Sequence, residues 1–528
     1  MAKKKKAPER AQVDQRRELR LNMMRSVVTE PLLSQVRQHP AAKFDVIIAL
    51  NELFRGGIEP ALSWVERRAK EWKVPYDTTS HYVFGRLTGQ QILDLADEAR
   101  KLTEEQGRDG SVIHRIWEDS DVSLTLTRTL VTVKADAAQR AFHALGGGVV
   151  WAVLDSGVDR NHPHFKNPLA PIGPVDTLKC PAPVMHRDFT PDGRSRNPAE
   201  ADGAPMKEHA SAVEDRLGHG THVAGIIAGC WQSKDPDGDP VAGTEVRDER
   251  TDEPIALREK VQRISGVAPL CKIVSLKVIA DETMTGDTKQ KAGQGKVSWI
   301  LMAIEQIQKW NQWGKRILVH GVNMSLGYEF DPRWFACGHS PICAEVNRLV
   351  KCGVSVVVSA GNGGYPSFIE ASGRAQARYS DMSITDPGNA DLAITVGSTH
   401  REMPHTYGVS YFSSRGPTGD GRLKPDVLAP GERILSCAAG LERKKLERAL
   451  GANAAHALPI LYCEQTGTSM SAPHVSGAVA AFLSVRSEFI GQPERVKELF
   501  VRSAVDLGRQ RHFQGAGLLD LMKVLQAV

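Results

Sequence analysis

Three short segments carry residue types that can make and break covalent bonds. Asp155-Ser156-Gly157-Val158-Asp159 sets a carboxylate at the end of an apolar run, and Gly218-His219-Gly220-Thr221-His222-Val223-Ala224-Gly225 is a glycine turn entering an apolar helix. Gly467-Thr468-Ser469-Met470-Ser471-Ala472-Pro473-His474-Val475 repeats that design around a serine. A helix starting at Ser469 holds the hydroxyl among free backbone N–H groups and the positive end of the dipole, which favour a developing oxyanion. Serine is a weak nucleophile at its own pKa. It needs an adjacent base, and the base needs a third group to hold its tautomer. Ser469, His219 and Asp155 can fill those roles. Each also has a plainer reading: Ser469 as a helix N-cap, Asp155 as a strand-end turn residue, and Asn362 as a turn asparagine beside glycines.

The surrounding pattern is that of a scaffold able to bring these segments together. Beyond about residue 133, continuous apolar runs recur at Val149–Leu154, Ile273–Val278, Ile317–Met324, Val354–Ser359 and Leu392–Val396. Helical stretches such as Ser298–Trp310 and Cys343–Lys351 lie between them. This alternation predicts an α/β fold, a mostly parallel sheet with helices on both faces. Functional groups of such sheets gather at the carboxyl ends of the strands, where Asp155, Ser325 and Gly361-Asn362 fall. Residues 231–262 and 438–460 read as polar insertions, the second with an exposed helix over Glu442–Arg448.

A smaller pattern precedes this domain. Phe44–Leu50 and His81–Leu87 read as strands, and Ile58, Leu62, Val65, Ala69 and Trp72 share one helix face. Thr88 and Gln91 open a second helix as a capping box, and Val112–Trp117 is a last strand. The result is a small ferredoxin-like α+β domain over 43–125 with one strand indistinct. Residues 1–42 form a basic leader with a short helix near Val27–Val36, and 126–528 form the large domain.

Composition narrows the class. Hydrophobic residues make up 41% and charged residues 24% of the 528, as in a soluble globular protein. No apolar run reaches the roughly 20 residues that span a bilayer, and the Lys-rich start lacks the apolar core of a secretory signal. The net charge of +5 belongs to the leader: residues 1–25 hold nine Lys/Arg against three acids, leaving the rest near neutral. Neither membrane nor nucleic acid is therefore an expected partner. None of the eight cysteines form a Cys-x-x-Cys pair, so they read as reduced thiols of a cytoplasmic protein. His222, three residues after His219, has no glutamate in the zincin arrangement and reads as a packed helix histidine, not a metal ligand. His162 and His164 read as loop residues and His474 as structural.

In their types, their motifs and their order (Asp, then His, then Ser), the three segments resemble the subtilisin-like serine proteases, the subtilases. The resemblance covers about 133–525, including Gly515-Ala516-Gly517-Leu518-Leu519-Asp520. It implies hydrolysis of protein or peptide substrates through an acyl-enzyme, with Ser469 as nucleophile, His219 as general base and acid, and Asp155 as its orienting group. It implies Asn362, in Ser359-Ala360-Gly361-Asn362-Gly363, as the side-chain donor of the oxyanion hole. It assigns Ser325, Leu326 and Gly327 to the edge that pairs with the substrate backbone, and Ser359, Ala360 and Gly361 to the facing wall of the primary pocket. The small first domain resembles the inhibitory propeptide of many subtilases, which implies an intramolecular inhibitor cut somewhere in Ser120–Leu130.

No cofactor is required by this chemistry. Calcium, which many secreted members bind through an acid shortly after the first motif, is doubtful here, because His164 stands at that position and the 231–262 insertion replaces the completing loop. Asp235, Asp237 and Asp239 are three acids with two prolines, a weak calcium signal. Two other functions remain on the same motifs. One is a peptide ligase or macrocyclase that passes the acyl group to an amine. The other is an effector protease locked until a partner displaces the first domain.

Overall fold

A computed structural model describes residues 27–106, 110–118, 128–167, 172–196, 207–232, 241–247, 254–281, 283–285, 288–290, 293–329, 331, 333, 336–369, 375–450 and 460–528. The chain divides into two compact units, 1–124 and 125–528.

The first unit runs α1 (Glu30–Gln38), β1 (Lys43–Leu50), α2 (Ile58–Glu71), β2 (Tyr76–Thr78), β3 (Tyr82–Thr88), α3 (Gly89–Gln106) and β4 (Ile113–Glu118). Its antiparallel sheet has the order β2-β3-β1-β4, the ferredoxin-like arrangement. The strand that was indistinct in the sequence is β2, three residues at the sheet edge and too short to show a period. The capping box forms: Gln91 N donates to Thr88 Oγ1 (3.2 Å) and Thr88 N to Gln91 Oε1 (2.8 Å). The core includes Ile48, Val65, Ile92 and Ile116, and it extends upstream of residue 43, because α1 buries Leu32, Leu33 and Val36.

The second unit is built on a seven-stranded sheet. Its strands are β5 (Val150–Asp155), β6 (Arg187–Asp188), β9 (Lys272–Lys277), β10 (Gly321–Met324), β11 (Ser355–Ser359), β12 (Ile394–Thr399) and β13 (Val427–Pro430), in the order β13-β12-β11-β10-β5-β9-β6. Every pairing is parallel. Alternate residues of β5 enter different cores, as a period of two requires. Trp151 and Val153 pack in one core with the helices α4 (Ala135–Phe142), α5 (His219–Ile227) and α9 (Thr468–Val485), whereas Val150, Ala152 and Leu154 pack with α6 (Val297–Trp310) and α7 (Pro341–Lys351). The expected strand from Ile317 begins only at Gly321. Asn311 accounts for the delay: its amide accepts from Leu318 N and Val319 N (2.9 Å each) and donates to Val319 O (2.8 Å), holding that segment out of the ladder.

The two stretches that read as insertions join a common layer. β7 (Val241–Arg247) and β8 (Pro254–Lys260) form a hairpin, and β7 pairs in parallel with β15 (Ile460–Gln465), which pairs with β14 (Ile434–Cys437). Helix α8 (Gly440–Ala449) lies on it, with Leu446 so close to Gly243 that a β-carbon there would meet its side chain at 1.9 Å. Asp235, Asp237 and Asp239 lie outside the described residues.

Gly321 pairs with Trp151, and a β-carbon on it would stand 2.1–2.5 Å from the fully buried indole. Gly321→Ala is expected to destabilise this unit by about 1–3 kcal/mol. Gly147→Ala, where a β-carbon meets nothing within 4 Å, is the control. Denaturant midpoints of the two variants should separate; coincident midpoints would refute the packing argument.

Candidate active site

β5 delivers Asp155 to the carboxyl edge of the sheet, where it is buried. Its Oδ1 and Oδ2 lie 2.8 and 3.0 Å from His219 Nδ1, and Oδ1 also accepts from Ser156 N (2.7 Å). His219 is the first residue of α5, and its side chain is 35% exposed. Gly218 makes the entry: it has φ +100°, and a β-carbon would fall 2.3 Å from the Ala439 carbonyl oxygen. Partial burial lowers the imidazole's pKa, but the Asp155 carboxylate, with Asp215 and Glu442 nearby, outweighs it, and the net shift is upward.

Asp215, which lies outside the three motif segments, locks this corner. Its Oδ1 accepts from Ser156 Oγ (2.9 Å), Leu217 N (3.2 Å) and Gly218 N (2.8 Å), and its Oδ2 from Thr221 N (2.8 Å) and Thr221 Oγ1 (2.6 Å). Ser156 Oγ in turn accepts from Gly220 N (3.0 Å). The first N–H groups of α5, which lack partners within the helix, are thereby tied to the end of β5. The legible signal was an acid four residues ahead of a helical histidine.

Ser469 lies in the first turn of α9, which begins at Thr468, one residue earlier than expected. The rest of α9 is almost wholly buried, while Ser469 is half-exposed. Its hydroxyl donates to the Ser325 carbonyl (3.1 Å), and Ser325 Oγ donates back to the Ser469 carbonyl (2.7 Å). Behind them Asn323 donates to Ser325 Oγ (2.9 Å) and accepts from Ser476 Oγ (2.8 Å), so β10 and α9 are clamped at two points.

Asn362 is exposed, but its orientation is set. Its Oδ1 accepts from Thr468 N (2.9 Å) and Thr468 Oγ1 (3.0 Å), and Thr468 Oγ1 accepts from Gly361 N (3.2 Å). With the oxygen engaged there, the amide nitrogen is directed beside Gly467, 3.4 Å from where a β-carbon would be. Ser325, Leu326 and Gly327 follow β10, and Ser359, Ala360 and Gly361 end and follow β11, its parallel neighbour. Thr385, not foreseen, joins the two segments. Its N–H donates to the Ala360 carbonyl (3.1 Å), and a β-carbon on either Gly327 or Gly361 would meet its Oγ1 at 2.7 Å.

A model of the subtilase family matches residues 146–517, and the chain belongs to that family. It is similar to the major intracellular serine protease of Bacillus subtilis (strain 168), at 28% identity over 71% of this chain and 82% of the relative. It is also similar to serine protease AprX of the same organism (25% identity, 78% and 76% covered). The intracellular serine protease of Paenibacillus polymyxa is a further relative (26% identity, 72% and 81% covered). The protein is accordingly a subtilisin-like serine endopeptidase that acts on protein substrates. Among the described residues, no helix is long and apolar enough to cross a membrane.

Four further histidines, at 162, 164, 222 and 474, are interior side chains. His222 is buried and approaches the Ile434 and Cys463 carbonyls (3.0 and 3.1 Å), and His474 approaches the Met470 carbonyl (2.8 Å). His162 and His164, read as loop residues, are buried around a 3-10 turn against Tyr462. The His164 ring has Nε2 on the Gly225 carbonyl (3.2 Å) and Nδ1 on the Tyr462 hydroxyl (3.3 Å). Both nitrogens of His164 are thus engaged, and an imidazole is not the oxygen ligand that calcium takes; among the described residues no group of three or more His, Cys, Asp or Glu could hold a metal ion. All eight cysteines are free thiols.

Burial pushes His162 and His474 down to about 4, and His164 and His222 to about 3. Their unfolded value is near 6.5, so below that pH the unfolded chain binds protons that the folded chain does not. Stability is fully present above pH 6.5 and lost as pH falls toward 4, each histidine removing up to about 1.4 kcal/mol per pH unit. The thermal midpoint should drop between pH 6.5 and 5, ahead of carboxylate titration. A flat midpoint over that interval would contradict this account.

Proposed function

We propose that this endopeptidase works through an Asp155–His219–Ser469 triad. The observation that carries the reading is the short contact between the buried Asp155 carboxylate and His219 Nδ1. A proton held on Nδ1 by the carboxylate leaves the lone pair on Nε2 as the base. Ser469 Oγ turns from the Ser325 carbonyl, gives its proton to Nε2 and attacks the scissile carbonyl. The developing oxyanion takes hydrogen bonds from Asn362 Nδ2 and the Ser469 backbone N–H. His219 then passes the proton to the leaving amine as the C–N bond breaks, and water releases the acyl group by the same route. Ser325-Leu326-Gly327 pairs with the chain before the cut, whose side chain enters the space between this edge and Ser359-Ala360-Gly361.

The first unit is assigned as an intramolecular inhibitor, cut within Ser120–Leu130; residues 120–127 of that stretch lie outside the described residues. The support is its ferredoxin-like topology and its position ahead of the catalytic unit. N-terminal sequencing of the purified protein tests the cut. A cytoplasmic setting is supported by the eight free thiols and by two relatives that are intracellular proteases.

Ser469→Ala should abolish peptide hydrolysis, by about a millionfold as in subtilisin itself, with circular dichroism unchanged. Retained turnover would sink the triad. Asn362→Ala should lower kcat by about 10²–10³, again the subtilisin value, with little change in KM. In the active form, kcat/KM should rise with pH as His219 deprotonates, with its midpoint above 6.5. Asp155→Asn should move that limb to lower pH as well as slow the reaction.

A further inference from the structure

Beyond Asn362 the surface carries a group of exposed aromatic rings that the triad does not use. Tyr365 is 40% exposed, and Tyr379 and Tyr411 are 61% exposed each. Tyr365 stands 4.8 Å from Tyr379 and 6.1 Å from Tyr411, and Tyr411 meets Phe412 at 5.4 Å. Single exposed apolar residues are ordinary on a protein surface, but three large rings gathered with Tyr365 against both others mark an interaction site.

The group is rigid and tied to the catalytic corner. Gly364 N donates to the Phe412 carbonyl (2.9 Å), Ser414 N to the Gly361 carbonyl (2.9 Å) and Ser380 N to the Gly364 carbonyl (3.0 Å). Gly363 N donates to Ser414 Oγ (2.9 Å). The segments bearing the three tyrosines are thus bonded to one another and to the residues flanking Asn362. Arg415, only 3% exposed, lies with its guanidinium 4.6 Å from the Tyr379 ring centre and 4.3 Å from that of Phe513. That stacking fixes the Tyr379 ring. A ring already fixed loses little conformational freedom on binding, which makes such tyrosines effective anchors.

We propose that Tyr365, Tyr379 and Tyr411 form a subsite for the substrate chain after the scissile bond, selecting a large aromatic side chain there. The inference rests on the triad reading, which gives the edge at Ser325–Gly327 to the chain before the cut. The tyrosines lie at the other end of the 361–365 segment, past the oxyanion donor. Asn362 and Tyr365 are three residues apart, at most about 10 Å along the chain. An extended substrate advances about 3.3 Å per residue, so the rings face the second or third residue after the cut. Aromatic pairing and burial of apolar surface both favour an aromatic occupant.

Quenched peptides with one acyl side and four residues after the cut, carrying Phe or Ser at the second or third of these, test the proposal. Product masses verify the cut. The purified enzyme should prefer Phe by about tenfold in kcat/KM, and Tyr379→Ser/Tyr411→Ser should bring the ratio near one, while Tyr379→Phe keeps it. Because the ratio is taken within each variant, loss of folded protein cancels. An unaltered ratio in the double variant would overturn the subsite, as would the absence of any Phe preference. The anilide of the same acyl side, which has no residues after the cut, separates the two readings. If the enzyme but not Ser469→Ala hydrolyses it, the triad stands whatever the ratios. Hydrolysis of every substrate by Ser469→Ala at the unmodified rate would overturn both.

Discussion

The structure depends on a helix that is buried on nearly every side yet must present one hydroxyl at its first turn. Thr468–Val485 can lie so deep because its residues are small: a β-carbon on Gly477 would meet Val267 at 2.6 Å. Depth carries an obligation, since each buried polar group needs a partner. Ser476 meets it through Asn323, and the same asparagine holds Ser325 against the Ser469 carbonyl. Placing the Ser469 turn and partnering the buried Ser476 are one set of bonds.

The histidine side answers the same demand differently. His219 opens a short helix whose first N–H groups would lack partners, and Asp215 and Ser156 supply them. Asp155 is thereby left with Ser156 N and the imidazole as its hydrogen-bond donors. One carboxylate fixes the backbone while its neighbour holds the imidazole. Burial raises the Asp215 pKa against the pull of its hydrogen bonds, and Asp155 adds to the rise.

What was legible in the sequence follows from what each feature depends on. Continuous apolar strands are a local signal, and the runs ending at Asp155 and Ser359 correspond to β5 and β11. Glycine-bounded segments made Asp155, His219, Ser469 and Asn362 visible in the same way. Features created by contacts distant in sequence were not visible. Asp215 reaches Ser156 across 59 residues, and Thr385 closes a gap between segments that begin at 325 and 359. His162 and His164 sit in a polar-looking turn, and only Tyr462, about 300 positions later, makes them interior. β10 starts later than its apolar run because Asn311, a single side chain, draws residues 318–319 out of the ladder.

The hairpin at 241–260 and the helix at 440–449 lie nearly two hundred positions apart, yet they share strand β15 and interlock where Leu446 covers Gly243. Two stretches that meet in this way depend on each other for cover. A lineage that dropped the hairpin would leave the helix without its floor, and one that dropped the helix would uncover a glycine strand. The two stretches should therefore be gained and lost as a pair.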